Sequence, residues 1–168
     1  MKKKISLYIG IMLLICLVIS PLIHELSHIL TFEIFGNYYF ADISLFPVYG
    51  SLRILSPTSI MECLILLFEG VAISLALGFL FIYLGRKKEN HLASMSGIGF
   101  LLNPSLSMFI KNDISTLFSF IGLSNLSILI GIFILGVCLF EFNYVIRILT
   151  DSQMLKQYKY KNCNYGKK

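Results

Sequence analysis

The chain has 168 residues, enough for one domain, of which 57% are hydrophobic and 14% charged, with a formal net charge of +5. A mean hydropathy of +0.80 excludes an ordinary water-soluble core and points to a membrane protein. The four cysteines show neither pairing nor C-x-x-C spacing, so no redox or metal role is assigned to them.

The first apolar stretch runs from Ile5 to about Phe35, and Ile5 to Ile23 carries no charge over 19 residues, long enough to cross a hydrocarbon layer about 30 Å thick. Lys2, Lys3 and Lys4 before it imitate a signal peptide, but the apolar run is long and Pro21 would follow the best small-residue site at Ser20, so an uncleaved span is expected. Next, "NYYFADISLFPVYGSLRIL" alternates aromatic and β-branched residues with small or polar ones around Pro47 and Gly50, which predicts a β-hairpin or edge strand. Apolar stretches follow at Ile60 to Leu84, Leu92 to Ile110 and Ile114 to Leu149, the last broken near Gly122 to Asn125, where Ser124 or Asn125 is placed to cap a new helix.

The expected fold is an all-α polytopic membrane protein. It has about four transmembrane helices, a short re-entrant helix over 114 to 122 and a β-hairpin after the first helix. Residues 1–150 form a single transmembrane domain and 151–168 a basic cytoplasmic tail. With the N-terminus inside, twelve of the 14 Lys and Arg fall on the cytoplasmic side and only Arg53 and Lys111 outside. The predicted location is therefore the cell membrane, with both termini cytoplasmic. Net positive charge is read as this topology signal and as attraction to the headgroups of the lipid bilayer; no nucleic-acid partner is expected.

Within the first stretch, "PLIHELSHIL" carries His24, Glu25 and His28 in the pattern H-E-x-x-H. At about 100° per residue the two imidazoles stand about 40° apart, with Glu25 inside the same arc of about 100°, so the three face a common point. From the chain's own His and Glu content this pattern arises by chance about 0.002 times. Ionisable groups inside a membrane segment are costly and mark function or pairing. Two histidines and an adjacent carboxylate spell a zinc site with a base beside it.

A catalytic zinc usually has three protein ligands and one open position. Glu33 lies about 140° around the helix from His28 and faces away. Asp113 is 22 residues from His91 on the third span, as His24 is 19 from Ile5 on the first, so both come to similar levels at 1.5 Å per residue. Glu62 or Glu69, seven residues apart on one face of the second span, are the alternatives to Asp113. Pro104 loosens the third span, and Asn103 before it can line the opened segment.

His24, Glu25, His28, Asn103, Pro104 and Asp113 together resemble the site-2 protease family of intramembrane zinc metalloproteases. That family places H-E-x-x-H in one transmembrane helix and an aspartate ligand, within a pattern of Asn, Pro and Asp-Gly, in a later one. "SLFPVYGS" is similar to the family's membrane-embedded β-strand region. Here Asn103 and Pro104 are adjacent rather than spaced, and Asp113 is followed by Ile114 rather than Gly. The resemblance implies zinc nearer the cytosolic face, whereas the basic-residue count puts it nearer the outer face. It also implies Zn²⁺ on His24, His28 and Asp113, Glu25 as the catalytic base, Asn103 on the substrate backbone, and a membrane protein or peptide as substrate. The rival expectations are a membrane metal-binding or transport protein, and an inactive scaffold that binds membrane helices.

Overall fold

The computed structural model describes the backbone of residues 2–36, 39–45, 48–54, 59–109 and 113–165, and side chains within 4–36, 59–109, 115–119, 121–123 and 125–151. The chain begins as α1 (Lys2–Leu14), widens into a π-helical segment (Ile15–Ile19) and continues as α2 (Ser20–Phe35). Pro21 explains the widening. It has no N–H and its ring collides with the carbonyl four residues back, and the strain is absorbed by a wider turn in which the Ser20 N–H reaches Ile15 O, five residues away. Gly36 ends α2 in the left-handed region at φ 66°, its N–H returning to Glu33 O.

Strands β1 (Tyr39–Leu45) and β2 (Val48–Ile54) pair antiparallel, Ile43 opposite Gly50, and β2 lies beside α2. Phe46 and Pro47 lie outside the described residues. Ser59 then opens α3 (Ile60–Lys87) with a capping box: its hydroxyl accepts from Glu62 N–H while Glu62 Oε2 accepts from Ser59 N–H, both at 3.2 Å. Helix α4 (His91–Ser107) follows a short turn, α5 (Asp113–Phe120) comes next, and α6 (Ser124–Tyr165) runs 42 residues, so that the basic segment after 151 continues this helix as far as Tyr165.

Three helical stretches are long and apolar enough to cross a membrane: Lys4–Phe35, Ile60–Lys87 and Asn125–Asp151. The expectation was about four. Helix α4 has 17 residues, a rise of about 26 Å, and falls just short of that length. It is instead the most enclosed helix. Met95, Ile98 and Leu101 are buried at its centre, with α3 on one side and α1 and α6 on the others.

The polarity of the packing suits lipid. Leu17, Phe68, Phe133, Leu139 and Phe140 point outward, while Ser20, Ser74, Ser94, Ser105 and Glu141 are buried between helices. Small residues are what permit close helix contacts where lipid outside is as apolar as the interior. Along α3 they recur at Gly70, Ser74, Gly78 and Gly85. Ser74 meets Ser20 (Oγ to Oγ 3.4 Å) on α2, and Gly78 and Gly85 meet Gly97 and Ser94 on α4. These contacts make α3 antiparallel to both α2 and α4, which therefore run in the same direction.

At the far end of α3, Arg86 donates from Nε (2.8 Å) and Nη2 (2.5 Å) to Glu141 Oε2 on α6 and lies over the Tyr144 ring at 4.9 Å. Glu141 is 1% exposed, and its Oε1 has no hydrogen-bond partner among the described residues.

Candidate metal centre

The widened turn hands over directly to the H-E-x-x-H segment. In α2, Ser27, His28, Thr31 and Phe32 are buried, His24 and Glu25 are half-buried, and Leu26 and Leu30 are exposed. One stripe of the helix is polar and faces inward, and the opposite stripe is apolar and faces out.

The stripe meets α3. His24 Nε2 and His28 Nε2 lie 3.1 Å apart, with the rings edge to face at 89° and centroids 4.7 Å apart. His28 Nδ1 is 3.1 Å from Glu69 Oε1, and the Thr31 hydroxyl donates to Glu69 Oε2. Against an ionised Glu69 the neutral His28 ring carries its hydrogen on Nδ1, which leaves the Nε2 lone pair toward His24. Gly70, next in α3, lies against the ring of His24. A Cβ built there would be 2.6 Å from His24 Cε1 and close to Nδ1 as well. The bare backbone is what leaves room for the ring between the helices.

The two nitrogens suit a divalent cation in spacing and type. Tetrahedral zinc, about 2.0–2.1 Å from each imidazole nitrogen, sets two ligands about 3.3 Å apart, close to the 3.1 Å seen here. The same gap also accommodates a shared proton. Among the described residues no group of three or more His, Cys, Asp or Glu is placed to hold a metal.

The expected ligand Asp113 opens α5, which packs against α3 and α6, and its side chain lies outside the described residues. A Cβ on Gly99 of α4 would be 2.6 Å from Met12 O and 2.9 Å from Ile15 Cβ, which sets the relative height of the two parallel stretches. Asn103 is half-buried on α4, one residue before the buried Pro104.

The alternatives separate. Glu62 is committed to the α3 cap and Glu69 to the Nδ1 side of His28, away from the Nε2 pair. Glu33 is exposed, as its helical angle predicts. His91 lines a cavity with Arg86 and Tyr144, about 15 residues or roughly 22 Å along α3 from Gly70. Asp42 falls outside the described side chains. Sequence reasoning missed Thr31. Its signal was present, since Thr31 lies three residues after His28 on the same face.

No protein-family model, curated protein or solved structure matches the chain.

Proposed function

We propose that the protein is an intramembrane zinc metalloprotease that hydrolyses a peptide bond in or near a transmembrane segment of another membrane protein. The observation that carries the reading is the Nε2 pair of His24 and His28 at 3.1 Å, on an apolar helix, with the far nitrogen of His28 held by a carboxylate. Metal-binding histidines ordinarily keep such an outer partner.

His24 and His28 through Nε2, with Asp113, would hold Zn²⁺. When bound, the metal supplies a Lewis acid for the scissile carbonyl and lowers the pKa of its water toward about 7. Glu25 accepts the proton of the attacking water and returns it to the leaving amine. A helical substrate hides its carbonyls and must unwind, and β2 offers main-chain groups beside α2 for an extended segment. Asn103 orients the same backbone from α4. The basic residues support four spans, with α4 as the short one, and cytoplasmic termini in the cell membrane.

Zinc content of the purified protein, together with cleavage of candidate membrane peptides by wild type and Glu25→Gln, tests the reading. Glu25→Gln is expected to retain zinc and lose cleavage; full activity in that variant rejects Glu25 as the base. Zinc without any cleavage would favour a metal-binding or transport protein. No zinc at all would favour a helix-binding scaffold.

A further inference from the structure

Glu69 is the unexplained cost in this site. Its side chain is 13% exposed in the middle of a 28-residue apolar helix, where a carboxylate is retained only for pairing or function. Both oxygens are engaged, Oε1 by His28 Nδ1 and Oε2 by the Thr31 hydroxyl. A carboxylate so committed is poorly placed to act as a base, and it sits on the side of the imidazole opposite the nitrogen that faces His24.

We propose that Glu69 is a positioning residue whose carboxylate, itself held by Thr31, fixes the ring and tautomer of His28 so that Nε2 is presented with His24 Nε2 to a divalent cation. The proposal rests on the reading that the histidine pair binds zinc. Three consequences follow from the contacts. The bond to Glu69 forbids the tautomer in which Nε2 carries the hydrogen, it stops the ring from turning about its Cβ–Cγ bond, and the negative charge behind Nδ1 makes Nε2 a stronger donor. Thr31, one turn after His28 on the same helix, keeps the carboxylate from swinging away to water.

A purely structural tether between α2 and α3 would be served as well by an amide. Glutamine has the same shape, and its Oε1 can accept from Nδ1–H without the charge. Zinc affinity of the full chain in detergent, measured by competition with a chromophoric chelator, therefore distinguishes the two roles. The electronic absorption of the cobalt-loaded protein is read in parallel. Glu69→Ala is expected to bind zinc roughly 10- to 100-fold more weakly than wild type, Glu69→Gln to fall between them with a shifted cobalt band, and Thr31→Val to lose less than Glu69→Ala. Glu69→Gln also decides the matter if Glu69→Ala does not fold. Wild-type affinity and an unchanged cobalt band in Glu69→Gln, or wild-type affinity in a folded Glu69→Ala, overturn the positioning role and leave the protease reading standing. A wild-type chain that takes up neither zinc nor cobalt overturns both.

Discussion

Replacing Gly70 by alanine tests whether the missing Cβ is what lets α2 and α3 approach at the histidines. The added methyl would lie 2.6 Å from Cε1 and 2.7 Å from Cγ of His24, about 1 Å inside the usual 3.5–4.0 Å carbon contact. Either the ring turns away from His28 or the helices part. Overpacking of this kind costs about 1–3 kcal/mol, while alanine returns up to about 1 kcal/mol of helix propensity. Gly10 supplies the internal control, because a Cβ built there meets nothing within 4 Å and Gly10→Ala receives the propensity gain alone. The difference between the two variants isolates the steric term. At about 2–4 °C per kcal/mol for a chain of this size, their melting midpoints should differ by roughly 2–12 °C, Gly70→Ala being the lower. Thermal unfolding of the purified protein in detergent measures it, with zinc affinity as the second readout. A Gly70→Ala protein that melts at or above Gly10→Ala refutes the close approach.

Two further substitutions probe the ends of α3. Arg86→Ala strips Glu141 Oε2 of its guanidinium partner, and breaking a buried pair from one side costs about 3–5 kcal/mol; because the Arg86 side chain is 45% exposed and water screens it, a loss nearer about 2 kcal/mol is expected. The double variant Arg86→Met with Glu141→Met should recover most of that loss in denaturant or thermal unfolding, and a single variant within about 0.5 kcal/mol of wild type would show that the pair is effectively solvated. Ser59→Ala removes half of the capping box and should cost about 1 kcal/mol, with faster hydrogen exchange confined to the first turn of α3. Uniform exchange along α3 would contradict a local cap.

The parts of this molecule that were legible in the sequence are those governed by one helix at a time. The spacing of His24 and His28 fixes their shared face whatever surrounds them, and the structure brings their Nε2 atoms to 3.1 Å. The break near Gly122 likewise appears, with α5 ending at Phe120 and α6 starting at Ser124. Pairings across helices were not legible. That Glu69 meets His28 while Glu62 does not depends on where α2 crosses α3, and helical period carries no information on that crossing. Ser59-x-x-Glu62 does spell a capping box, a signal that would have removed Glu62 from the ligand candidates. Glu141 is enclosed at a point where α3 brings Arg86 to it from 55 residues away. The π-helical segment was hidden for a related reason. Pro21 announces a disturbed helix, but whether it bends, breaks or widens is settled by what the preceding turn packs against.

The union of Arg86 with Glu141 also bears on the order in which the polypeptide enters the bilayer. During synthesis α3 emerges first, and Arg86, near its end, can rest its guanidinium among headgroup phosphates while it waits. On α6 the carboxylate of Glu141 is set between Cys138 and Val145, two of the helix's most buried residues. The later helix is the dependent one, because its buried carboxylate gains a charged partner only when the earlier helix already stands beside it.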